Sequence, residues 1–154
     1  MITSNDGGDT AAIDYAENET ADITTVTATD QDAGATQTYS VSGADAAQFT
    51  IDSSTGVLTF SASPDFETPL DANADNDYVI VVEVSDGALS DTQEITVSVT
   101  DVNEAPEITS NDGGDTAAID YAENGTDAPT TVVATDVDAG ATQTYSVSLS
   151  LIHI

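Results

Sequence analysis

Hydrophobic and polar residues alternate in short runs along this chain, and no stretch carries the 3.6-residue period of an amphipathic helix. The runs predict strands. Tyr78-Val-Ile80-Val-Val82-Glu-Val84 is the longest, and Gln93 to Val99 follows with Ile95, Val97 and Val99 on one face. Asp86-Gly87 sits between them as a tight turn. Phe49-Thr-Ile51 and Val57-Leu58-Thr-Phe60 flank Asp52-Ser-Ser-Thr-Gly56 and read as a hairpin. Earlier strands are expected around Ala11 to Tyr15, Ile23 to Ala28 and Thr38 to Val41. Seven short strands in about 100 residues match an all-β, immunoglobulin-like Greek-key sandwich. Its expected core is Val26, Ala28, Tyr39, Val41, Phe49, Ile51, Leu58, Tyr78, Ile80, Val82, Val84, Ile95, Val97 and Val99.

The pattern then repeats. Residues 2–42 and 108–148 align without a gap at an offset of 106, with 35 of 41 positions identical. The first copy differs at Glu19, Ala21, Asp22, Ile23, Thr27 and Gln31. A repeat this long can bury its own core, so tandem domains are expected rather than a solenoid. The expected division is a complete repeat over 2–104, the first part of a truncated second over 105–148, and a tail over 149–154. Asp101-Val-Asn103-Glu104-Ala-Pro106 joins the repeats without a Gly/Ser linker, because Pro106 ends the ladder. Strands for under half a sandwich leave the second copy weakly ordered by itself.

Composition sharpens this picture. The 154 residues include 29 acidic side chains and no Lys or Arg. No carboxylate has a basic side chain of that kind to pair with, so each is solvated, hydrogen-bonded, protonated or cation-bound. Nucleic acid and anionic membrane surfaces are excluded as partners, since both are held by Lys and Arg. Without Cys there are no disulfides or thiolate metal sites. Met1-Ile2-Thr3 shows no leader pattern, and no run of about 18 apolar residues exists to span a membrane.

The acids cluster outside the strand cores. The clusters are Glu17, the pair Asp65 and Glu67, the set Asp101, Asn103 and Glu104, and the pair Asp136 and Asp138. They offer oxygen ligands and no nitrogen or sulfur, the chemistry of Ca²⁺. These stretches resemble cadherin repeats, of the kind also found in large bacterial surface proteins. Tyr-Ala-Glu17-Asn18 is similar to the family's Pro-Glu-Asn, and Pro64-Asp65-Phe66-Glu67 to its Leu-Asp-Arg-Glu. Asp101-Val-Asn103-Glu104-Ala-Pro106 is similar to Asp-x-Asn-Asp-Asn-x-Pro, with Glu104-Ala105 in place of Asp-Asn. Asp30-Gln-Asp32 and Asp136-Val-Asp138 resemble Asp-x-Asp, and Asp86 the late-strand aspartate.

The resemblance implies calcium between successive repeats. Glu17, Asp65, Glu67, Asp101, Asn103, Glu104, Asp136 and Asp138 would ligate at the junction of the two copies. Asp30, Asp32 and Asp86 would face a preceding repeat. It implies an extracellular or cell-surface adhesin, stiffened by calcium, meeting neighbouring repeats and another surface protein or a like copy. A non-adhesive spacer arm and a calcium-independent acidic sandwich are the alternatives.

Other motifs are weaker. Asp30-Gln-Asp32-Ala-Gly34 misplaces the glycine of an EF-hand, and Val41 stands where its last Glu belongs. Asn-Asp-Gly-Gly-Asp-Thr at 5–10 does not recur every nine residues. Asn18-Glu-Thr20 and Asn124-Gly-Thr126 fit glycosylation sequons, yet each Asn also completes a Glu-Asn pair. An enzyme is not expected: Asp65 and Glu67 lack an aromatic cleft, and the one histidine, His153, lies in the tail. That tail, Leu-Ser-Leu-Ile-His-Ile, is the translation of a sequencing-library adapter and is expected to be non-native.

Overall fold

The computed structural model describes residues 1–32 and 34–148, so the expectation for the 149–154 tail lies outside the described residues. The chain separates into a compact unit Met1–Val102 and a second that begins at Asn103.

The first unit has seven strands: β1 (Thr10–Ala16), β2 (Thr24–Thr25), β3 (Thr38–Ser42), β4 (Phe49–Ile51), β5 (Val57–Phe60), β6 (Asp77–Ser85) and β7 (Ser90–Thr100). One sheet runs β1-β7-β6-β3 and the other β2-β5-β4. All pairings are antiparallel except β1 with β7, which is parallel. This is the all-β immunoglobulin-like sandwich that the alternation predicts.

The inner faces meet where the period of two places them. Val26, Leu58, Ile80, Val82, Ile95 and Val97 are fully buried, with Tyr39, Phe49, Tyr78, Val84 and Val99 nearly so. Burying each large aliphatic side chain contributes about 1.5–3 kcal/mol. Ala28, Val41 and Ile51 are half-buried and pack against this core rather than within it. Ile2 and Tyr15 join the core without having been expected there. Tyr15, Phe49, Phe60 and Tyr78 stack and edge-pack at one end, with neighbouring ring centroids 4.5–6.0 Å apart.

β2 is shorter than the predicted Ile23 to Ala28 run. The turn between β4 and β5 closes in beside it. Gly56 has φ +74°, and a Cβ there would lie 2.2 Å from Val26 O. The glycine lets the turn reach the strand closely enough for Val26 N to donate to Gly56 O at 2.8 Å. That bond continues the β2–β5 register one step beyond Thr25 and Val57.

Two buried carboxylates fix the long connection from β5 to β6. Asp45 accepts from Ala72 N and Val79 N, each at 2.7 Å. Asp71 accepts from Asn73 N, Asp75 N and Asn76 N at 3.3, 3.0 and 3.1 Å. Backbone amides thus serve where a basic side chain does not exist.

In the second unit β8 (Glu107–Ile108) pairs with β9 (Ala134–Thr135), and no other strand forms among its described residues. The register Ile108 opposite Ala134 repeats the isolated bridge Ile2 to Ala28 of the first unit.

Candidate metal centre

Parallel pairing of the first and last strands builds the site. Ala16 lies opposite Thr100, so Glu17 and Asp101 leave the sheet side by side. Glu17 N continues the ladder by donating to Thr100 O at 3.1 Å. Glu67 arrives from the β5–β6 connection. Among the described residues, Glu17, Glu67 and Asp101 each bring a carboxylate oxygen to within 4.8 Å of the others.

Glu17 is the anchor and is only 2% exposed. Its Oε2 accepts from Phe66 N at 2.9 Å, and its Oε1 from Val102 N at 2.8 Å. It therefore ties the Asp65–Glu67 loop to the chain leaving β7. Glu67 is pushed above its ordinary pKa, first by desolvation and then by repulsion from Glu17, Asp101 and Asp65. Three carboxylates so close, in a protein with no Lys or Arg, form a set of hard oxygen donors suited to a divalent cation. Asp65 Oδ1 accepts from Glu67 N and Thr68 N at 3.0 and 3.1 Å. Its pKa is held down by the Thr68 side chain, against burial, with help from those amides.

At the other end of the sandwich Asp30, Asp32 and Asp86 line a groove of about 630 Å³. Asp30 Oδ1 accepts from Asp32 N at 2.8 Å, and Asp86 Oδ1 from Ala88 N and Leu89 N, both at 2.7 Å. The Leu89 and Ala88 amides hold Asp86 below its ordinary pKa. Asp91 lines the same groove and accepts Ile2 N at 2.6 Å. It escaped the sequence reading because it sits at the start of a strand, with no motif to mark it.

Within the second unit, Asn103 Nδ2 donates to Glu104 O at 2.8 Å and Glu104 N to Asp138 Oδ2 at 3.0 Å. Asp136 Oδ1 accepts from Asp138 N at 3.2 Å, the counterpart of the Asp30 to Asp32 bond.

A two-sheet sandwich whose first and last strands run parallel, with acids gathered where they end, defines a class of acid-edged β-sandwich domain. The model of the cadherin domain matches residues 10–100, and the chain belongs to the cadherin family. It is 39% identical over 82 residues to mouse cadherin EGF LAG seven-pass G-type receptor 2, covering 53% of this chain and 3% of that protein. The chain thus spans a small part of the length of the curated relative it matches. Protocadherin gammaB7 EC3-6, solved as a cis dimer, aligns with TM-score 0.54 and 31% identity over 71% of this chain and 26% of that one. Drosophila N-cadherin EC1-4 aligns with TM-score 0.53 and 27% identity, over 66% and 25%. Cadherin domains are non-enzymatic modules, generally of extracellular adhesion. Among the described residues no helix is long and apolar enough to cross a membrane.

Proposed function

We propose that this chain is a calcium-binding repeat of an extracellular adhesin, and that calcium stiffens successive repeats into a rod. The observation that carries the reading is the convergence of Glu17, Glu67 and Asp101 with Glu17 buried. A cation would offset the repulsion that raises Glu67 and would supply what no basic side chain here can. Asp65, Asn103, Glu104, Asp136 and Asp138 are the further ligands that the family resemblance assigns. Asp30, Asp32 and Asp86 would serve a preceding repeat in the same way. The adhesive partner is a like copy or another surface protein.

Thermal melts with calcium, with chelator, and with magnesium at matched ionic strength test the ion. A ligand that binds only the folded state adds about 2.7 kcal/mol at a hundredfold excess over its Kd. The expected result is a higher Tm in calcium than in magnesium, abolished by Glu17→Gln with Glu67→Gln. Equal melts in both ions would reduce the acids to a solvated, salt-screened surface. Beads coated with the protein test adhesion: aggregation that needs calcium supports the adhesin, and dispersed beads point to a spacer arm.

A further inference from the structure

We propose that Asn76, which no acidic motif marks, is a positioning residue for the metal centre: it orients the peptide unit that brings Glu67 to Glu17 and Asp101. The proposal rests on the calcium reading above and adds to it a residue that sets how tightly this centre holds its ion. The peptide unit between Phe66 and Glu67 is gripped at both ends. Its carbonyl, Phe66 O, accepts from Asn76 Nδ2 at 3.0 Å. Its N–H, on Glu67, donates to Asp65 Oδ1 at 3.0 Å. A planar peptide held at both O and H resists rotation about its Cα–Cα axis. The direction in which the Glu67 side chain leaves the backbone is thereby set by the protein's own bonds.

Asn76 is itself tied to the sandwich. Its carbonyl accepts from Val99 N at 2.9 Å, one step beyond the Asp77–Ser98 pair of β6 and β7. Its amide N–H donates to Asp71 Oδ1 at 3.1 Å. The bonds then close a ring. Val99 holds Asn76, and Asn76 holds Phe66. Phe66 N donates to Glu17 Oε2 at 2.9 Å, and Glu17 Oε1 accepts from Val102 N at 2.8 Å. The ring starts and ends on the chain leaving β7, and Asp101 lies between its two ends. Two side chains carry this ring, the charged Glu17 and the neutral Asn76.

The residue type fits the task. Position 76 has φ +69°, a conformation that Asn tolerates better than most side chains and Gly best of all. Gly would serve the turn alone, and Asn adds a donor. That donor carries a penalty, because Asn76 is 9% exposed and its Oδ1 is buried with no hydrogen-bond partner among the described residues. Turning the amide over would set Oδ1 against Phe66 O, with two acceptors facing each other. The side chain is therefore placed for what Nδ2 does to Phe66, at the expense of its own oxygen.

NMR on the full chain tests this. Calcium titrations are followed at the amides of Phe66 and Val102, whose N–H groups rest on Glu17. N76G suits the left-handed backbone, keeps the backbone bonds of position 76 and removes the side-chain donor. It should weaken calcium binding by about ten- to a hundredfold, as loss of a group that orients a metal ligand does, while Tm in chelator stays near that of the wild type. In the E67Q background N76G should add no further loss. In chelator, with no ion present, N76G should speed hydrogen exchange at the Glu67 amide severalfold and leave Ile80 and Ile95 unchanged. N73A, an exposed change in the same loop, is the control and should bind calcium as the wild type does. Wild-type affinity in N76G, a matching loss in N73A, or an equal loss from N76G in the wild-type and E67Q backgrounds would overturn the proposal and leave the calcium reading standing. Wild-type affinity in E67Q, or no response to calcium at either amide of the wild type, would overturn the calcium reading and the proposal with it.

Discussion

At the scale of single residues, backbone geometry and amide donors replace the missing basic side chains. Gly56 is the sharpest steric constraint, because its αL conformation and its approach to Val26 O both forbid a Cβ. Gly56→Ala should cost about 3 kcal/mol or more by chemical denaturation, through strain plus a displaced strand. Gly87→Ala, with φ +94° and open space around it, should cost only about 1 kcal/mol. Asp71 carries the clearest pH signature. Burial alone would raise its pKa, but the amides of Asp75, Asn76 and Asn73 outweigh burial and hold it down. A depressed carboxylate contributes stability above its unfolded pKa and loses it as pH falls through the lower folded value. Asp71→Asn should therefore lower Tm near neutral pH. Its gap from the wild type should close in melts below about pH 4.

At the scale of elements, the decisive contact is the parallel seam of β1 and β7. Gln93 is fully buried on it, accepting from Asn5 Nδ2 at 3.1 Å and donating to Gly8 O at 2.8 Å. It fastens the N-terminal segment to the last strand, and with it the strand that delivers Glu17. Gln93→Leu strands two buried polar partners and should cost about 2 kcal/mol, whereas exposed Glu94→Gln next to it should stay within about 0.5 kcal/mol. Parallel denaturation curves check both. Gln93 shares the parity of Ile95 and was not among the expected core residues, because a polar residue in a core is legible only once its partners are in place.

At the scale of the whole molecule, two copies of nearly one sequence have different fates. Amides in β6 and β7 should exchange only through global unfolding of the first unit. Those over residues 107–148 should exchange faster by at least on the order of a thousandfold. Hydrogen exchange resolved along the chain measures this contrast, and comparable protection in the two copies would contradict it. Adding calcium should slow exchange around Glu17 and Phe66 first, since the buried carboxylate links those loops.

The sequence by itself determined the strands, their inward faces and the repeat, because a period of two fixes which side chains share a face and turn residues fix where runs end. It also marked the acids, because a chain without Lys or Arg leaves few other uses for clustered carboxylates. Only the tertiary structure decided which strands became neighbours. It set β1 parallel to β7 and brought Glu17 and Glu67 to Asp101. Alternation says which way a side chain points and nothing about what covers it. Val26 and Val132 have the same local sequence pattern, and only the strands packed against them make one core and leave the other surface.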